Sequence, residues 1–148
     1  MPRLTGPVTE DGALVKISIG WSIIAANKLR VAGRPVPMRI EAFALLDTGA
    51  EVTCLDSTLI EELELPLDGL ALANAPALQG IAFASQYDAS PSILHPSGNA
   101  LAHLTLTDVS VLELPLNVLG YQAVIGRDVL AKCVFLYNGG RERFALRY

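Results

Sequence analysis

The chain has 148 residues, 51% hydrophobic and 18% charged, with a net charge of −4. That length holds one domain with a genuine core, and the composition excludes disorder. A sequence pI near 5.1 without a basic cluster argues against nucleic acid as a partner.

The opening residues Met1-Pro2-Arg3-Leu4-Thr5-Gly6-Pro7 lack the apolar core of a signal peptide. No apolar run reaches the roughly 18 residues of a membrane helix. The expectation is a soluble, cytoplasmic protein with no membrane partner. Cys54 and Cys133 are far apart and carry no metal-ligand spacing. They read as buried thiols in a reducing compartment, with a disulfide or a cysteine nucleophile as the alternatives.

In chain order, residues 1–12 read as a loose arm and 13–148 as the folded domain. Residues 13–20 alternate, with Val15, Ile17 and Ile19 on the apolar face of a strand. Residues 21–26 extend that strand or start another. Residues 27–37, with Gly33 and two prolines, read as a polar loop. A strand follows over 36–46 and ends at Asp47. Gly49 interrupts it, and 50–55 resume an extended run. Asp56 or Ser57 can cap a short helix to about Leu63. Residues 66–76 read as a connection.

Residues 77–94 read as a projecting hairpin around Ala84-Ser85-Gln86, and 95–99 as a turn. Strands are expected over 101–107, 109–116, 121–125, 134–137 and 144–148. A short helix is expected around 129–133, and Asn138-Gly139-Gly140 reads as a turn. Eight to ten short strands with two short helices make an all-β domain. One echo stands out: apolar strand, glycine, short helix, at 43–63 and again at 121–132.

The chemistry centres on Phe43-Ala44-Leu45-Leu46-Asp47-Thr48-Gly49-Ala50. A carboxylate at the end of a buried strand is costly unless it is stabilised or used. Two carboxylates about 3 Å apart cannot both ionise, so such a pair holds an acid and a base together. It can activate water and polarise a peptide carbonyl with no metal and no cofactor. Asp11, Asp56, Asp68, Asp88, Asp108 and Asp128 all lack a following Thr-Gly or Ser-Gly. Asp128 sits where a helix begins and reads as a cap. A second such aspartate would therefore come from another copy of the chain, across a two-fold axis.

Ala44-Leu45-Leu46-Asp47-Thr48-Gly49-Ala50 followed by Val124-Ile125-Gly126-Arg127-Asp128 resembles the retroviral-type aspartic proteases, the retropepsin-like peptidases. Val15 to Gly20 lies where that family has the strand before its active site. The resemblance covers residues 13–148. It implies a closed β-barrel-like fold, a homodimer with one catalytic aspartate per subunit, and a flap hairpin over the cleft. It also implies aspartic endopeptidase activity on peptide or protein substrates.

On that resemblance, Asp47 is the catalytic aspartate and Thr48 the threonine whose hydroxyl crosses the dimer axis. Gly49 is the glycine whose carbonyl holds substrate backbone. Ala50 and Glu51 line the cleft, and Arg127 pairs with Glu51 where the family usually has an aspartate. The hairpin of 77–94 is the flap, with Gly80, Ile81, Ala82 and Phe83 against substrate and a tip near Gly80 to Gln86. A single glycine there leaves a second reading open: a non-catalytic dimer that binds extended peptides or serves in assembly.

Other groups point elsewhere. His95 and His103 have no cysteine or carboxylate at ligand spacing, so no metal site is expected. Ser85 and Ser97 lack a nucleophile-elbow pattern. Cys54 has no indicated histidine partner, and Trp21 reads as core or rim.

Overall fold

The computed structural model describes residues 1–75, 80–116 and 118–148. Its centre is a ring of six hydrogen-bonded strands. In order around the ring these are β2 (Gly12–Trp21), β3 (Ile40–Leu46), β9 (Ala123–Ile125), β4 (Cys54–Asp56), β8 (Val109–Leu114) and β6 (Gly80–Ile93). Strand β6 closes the ring by pairing antiparallel with β2. The closed all-β architecture expected from sequence is thus present.

Apolar alternation drives the ring. Val15, Ile17 and Ile19 point inward from β2, as their period of two dictates, and meet Ala44, Leu46, Val111, Ile125 and Ile93. Helix α2 (Ser57–Leu63) plugs the core with Leu59, Ile60 and Leu63. Its N-cap is the fully buried Asp56. One carboxylate oxygen accepts from the Thr58 amide at 3.1 Å and from the Thr58 hydroxyl, the other from the Leu116 amide at 2.6 Å. Trp21 donates its indole N–H to the Leu63 carbonyl at the helix's far end, 2.7 Å away.

The seam between β2 and β6 is clamped by Arg39. Its guanidinium donates to Ser18 Oγ and O, Ser90 Oγ and O, and Ser92 Oγ, at 2.7–3.2 Å. Burial of the guanidinium pushes its pKa below the ordinary value.

Consecutive strands β3 and β4 are not neighbours, because β9 lies between them, parallel to β3 and antiparallel to β4. The chain leaving β3 at Asp47 must therefore cross over the end of β9. That crossing is stitched on both sides. The Asp47 amide donates to Ile125 O (3.0 Å), the Arg127 amide to Ala50 O (2.8 Å) and the Asp128 amide to Glu51 O (3.3 Å). Gly126 lies directly beneath it. A Cβ there would stand 2.6 Å from the Val52 carbonyl carbon and 3.0 Å from Ala50 O, which are backbone atoms with no room to retreat.

Thr53, fully buried, ties the underside. Its amide and hydroxyl donate to the two oxygens of Asp128, at 3.0 and 2.8 Å, while its hydroxyl oxygen accepts from the Gly126 amide at 3.2 Å. Asp128 also accepts from the Val129 amide at 2.8 Å. It is not the expected cap: it lies in the first turn of α3 (Arg127–Leu130), whose N-cap is Gly126 with no side-chain cap bond, and its carboxylate holds the crossing.

Several expectations are corrected. The arm of residues 1–12 contains β1 (Arg3–Thr9), which pairs with β11 (Arg143–Arg147) from Arg3 to Pro7 and with β2 at Val8 and Thr9. Gly6 and Pro7 obscured it. Trp21 extends β2, but Ser22 caps and residues 23–26 begin α1 (Ile23–Val31) rather than a strand: Ser22 Oγ accepts from the Ala25 amide at 3.2 Å, and the alanines, Lys28, Leu29 and Arg30 are good helix formers.

The connection at 66–76 contains β5 (Leu67–Ala75), the antiparallel partner of β6. Asp68-Gly69 gives a bulge in that strand, not a break. Residues 101–107 reduce to a single 3₁₀ turn at Ala100–Ala102 and the two-residue β7 (Leu104–Thr105). After α3, β10 (Val134–Asn138) pairs with β11 as expected. Among the described residues there are three α-helices rather than two.

A second, smaller apolar cluster holds Cys54, Ala84, Leu112, Leu116 and Val124, with Ala50, Val52, Ala71, Leu114 and Tyr121 against it. Both cysteines are free. The Cys54 thiol is pushed up to about 11, first by burial and then by the nearby charges of Asp128 and Asp47. It therefore stays a neutral thiol through the neutral range and is no nucleophile.

Two measurements test this frame. Thr53→Val leaves the Gly126 amide and Asp128 short of partners. It should cost about 1–3 kcal/mol, seen as a lower urea midpoint at unchanged slope. At pH 8, Cys54 in the folded protein should alkylate roughly a hundredfold more slowly than in the unfolded chain, followed by mass spectrometry.

Candidate active site

Asp47 sits just past β3, half-buried, and the apolar strand behind it fixes where its carboxylate emerges. Its Oδ1 accepts from the Gly49 amide at 2.8 Å, the only hydrogen bond to this side chain among the described residues. Glycine suits that approach, since a Cβ at 49 would come 3.0 Å from the same oxygen. The Asp47 carbonyl accepts from the Ala50 amide at 3.2 Å, closing a tight turn. The turn presents Thr48 and Gly49 to solvent with the carboxylate beside them.

Arg127 behaves differently from expectation. The expected ion pair with Glu51 is absent; among the described residues the single ion pair is Lys16–Glu41 at 2.6 Å. The Arg127 guanidinium instead donates to the Thr48 carbonyl at 2.9 Å. The crossing geometry explains this. Glu51 contributes its backbone carbonyl to Asp128 and turns its side chain outward, leaving the Thr48 carbonyl as the acceptor facing Arg127.

The hairpin does not lie within 77–94 as expected: Gly80–Ile93 is one continuous strand, β6, and its hairpin partner is β5 (Leu67–Ala75), with Ala75 opposite Gly80. The expected tip at Gly80 to Gln86 is displaced: these residues all lie in the paired ladder, and the turn between the strands falls outside the described residues. Phe83 stands opposite Leu72 with both side chains exposed, at 74% and 66%. Their neighbours Ala71 and Ala84 face the opposite way, into the cluster that contains Ala50. So Ala84, rather than Phe83, shares a face with the residue that follows Asp-Thr-Gly.

Two contributors were given no role in the site from sequence. Tyr121 packs on the same cluster, and its phenol is pushed up by burial first, then by the charges of Asp47 and Asp11. Val124, in register with Leu45 and Cys54, supplies the cluster's floor. The visible signal was their place at the start of the apolar run that ends in Gly126.

The histidines lie elsewhere. His103 Nδ1 accepts from the His95 amide at 2.9 Å, and His95 Nε2 is 3.0 Å from the Arg3 carbonyl oxygen. Both line a cleft of about 570 Å³ between β1, β2 and the 95–98 turn, which includes no residue of the Asp47 turn. At Asp47 the chain offers one carboxylate, a hydrogen-bonded turn and an apolar wall.

The family model for retroviral aspartyl protease matches residues 14–136. Comparison with curated proteins gives no match. Among solved structures, the chain is similar to a retropepsin-like aspartic protease from Rickettsia conorii, at 16% identity and a TM-score of 0.53, covering 99% of this chain and 90% of that one. The protease of simian foamy virus (mac) is similar at 16% identity and a TM-score of 0.44, over 80% of this chain and 92% of that one. The foamy viral protease-reverse transcriptase aligns with 83% of this chain and 13% of its own, at 14% identity and a TM-score of 0.46. The β3–Asp47 turn, the Gly126 crossing and the family match over most of the chain lead to one assignment: the chain belongs to the retroviral aspartyl protease family.

Proposed function

We propose that the protein is a homodimeric aspartic endopeptidase that uses Asp47 from each of two subunits. The observation that carries this is the Asp47 turn. A carboxylate is held by the Gly49 amide at the end of a buried strand, and among the described residues no second acid is hydrogen-bonded to it. A water between the two carboxylates loses its proton to one aspartate while the other protonates the carbonyl oxygen of the scissile peptide. The tetrahedral intermediate then collapses with proton transfer to the leaving amine.

Thr48, exposed beside the axis, reaches toward the second subunit. The Gly49 carbonyl and the β5–β6 hairpin add backbone hydrogen bonds to an extended substrate. Ala50 and the Ala71–Ala84 face form an apolar wall for side chains flanking the cut. Arg127 holds the Thr48 carbonyl and so positions the turn. Two free thiols, one of them deeply buried, suit a cytoplasmic, reducing setting.

Asp47→Asn should keep the fold and lower kcat on a cleavable peptide by at least about a thousandfold. Adding an equal amount of Asp47→Asn protein to wild type, after exchange of subunits, should leave roughly half the original activity, since mixed dimers are dead. Undiminished cleavage by the variant would sink the reading. A wild type that binds extended peptides without cutting them, with binding indifferent to Asp47→Ala, would point to the non-catalytic module instead.

A further inference from the structure

We propose that His95 and His103 form an acid-released latch that holds the start of β1 to the 95–103 segment. The latch is closed in neutral solution. When His103 takes up a proton, the segment and the first residues of β1 loosen together.

The protonation state follows from the hydrogen bonds. A backbone amide can only donate, so a ring nitrogen that accepts from one carries no proton. His103 Nδ1 accepts from the His95 amide at 2.9 Å, and His95 Nδ1 accepts from the Ser97 amide at 3.2 Å. Each neutral ring therefore carries its proton on Nε2. For His95, that N–H donates to the Arg3 carbonyl at 3.0 Å, while its Nδ1 lies 2.8 Å from the Ser97 hydroxyl. The bonds run from β1 through one imidazole to the backbone of residue 95, and on to the other imidazole. Both rings are half-buried.

Acid removes the bond at the end of that series. A protonated imidazole donates from both nitrogens. On His103 this sets an N–H against the His95 N–H, so the ring has to turn away and the amide loses its acceptor. The surroundings do not stabilise the added charge. Among the described residues lining this cleft the one carboxylate is Glu41, and Lys16 already engages it at 2.6 Å. Arg3 on β1 and Arg147 on β11 add further cations beside the segment. From the end of β11, the Tyr148 hydroxyl donates to the Ala102 carbonyl at 2.8 Å. Burial first, then Cys133, pushes the Tyr148 phenol up, so this tie keeps its proton in acid.

The strand end at the latch is weak by itself. Arg3 stands directly opposite Arg147, which puts like charges in register. Beyond them the backbone adds the Tyr148 amide to the Pro2 carbonyl at 3.3 Å. His95 thus supports β1 where its own ladder is least favourable. Imidazole is the side chain whose charge ordinarily changes between about pH 8 and 5. Only the neutral ring of His103 can make the bond, so the closed state is present at neutral pH and is lost as the pH falls through that range.

Amide hydrogen exchange of the full-length protein, read by NMR at pH 7.5 and pH 5 and corrected for the intrinsic rate at each pH, tests the latch. Protection of the His95 amide should fall about tenfold or more at pH 5, with residues 3–5 following, while the β2–β3 ladder around Ile17 keeps its protection. In His103→Asn, Oδ1 stands where Nδ1 stood and accepts without titrating, so the His95 amide should stay protected at both pH values. His103→Leu, which has no acceptor, should leave that amide poorly protected at both. If either variant fails to fold, the two wild-type measurements decide. Equal protection of the wild-type His95 amide at both pH values overturns the latch. So does a loss in acid that persists in His103→Asn, or one shared equally by Ile17.

Discussion

The structure depends on a chain crossing. Because β9 lies between β3 and β4, the segment that begins at Asp47 must pass over the end of β9 before it can re-enter the sheet. Contact there is close enough that residue 126 has no space for a side chain. Once the crossing is fixed, everything near it follows. The Asp47 amide is spent on Ile125, the Arg127 amide on Ala50 and the Thr53 hydroxyl on Gly126 and Asp128. A turn so constrained cannot drift, and a carboxylate mounted on it is presented at one place. Rigid backbone carries the positioning, so the side chain that would do chemistry needs only one hydrogen bond of its own.

The crossing also gives the internal echo a physical meaning. The two strand–glycine–helix segments lie side by side as parallel β3 and β9, with Leu46 registered against Ile125. One copy of the pattern continues into a half-buried acid, the other into a buried glycine. The same local design thus supplies both the reactive group and the pad on which its loop rests.

How much of this was legible depended on whether the signal was local. Asp47 at the end of a buried strand could be read directly, because alternation on β2 and β3 and the Asp-Thr-Gly turn lie within the residues themselves. The Asp56 cap on α2 was equally local. Strand β5 was hidden, because Asp68-Gly69 is spelled like a turn and only pairing with β6 makes it a bulge. Strand β1 was hidden for the same reason: Gly6 and Pro7 weaken it alone, and its order comes from β11, more than a hundred residues away in sequence. The Arg127 partner could not be settled by motif spacing. Two acceptors stood within one turn of chain, and the direction of the Glu51 side chain decided for the Thr48 carbonyl.

The Arg39 clamp has a consequence for the medium in which such a barrel can work. Its acceptors are serine hydroxyls and backbone carbonyls, with no carboxylate among them. A guanidinium stays charged in acid, and serine does not titrate there. A seam closed by an arginine–carboxylate pair would loosen as the acid took up its proton. The closure between β2 and β6 holds no such group, so the seam is acid-tolerant by construction.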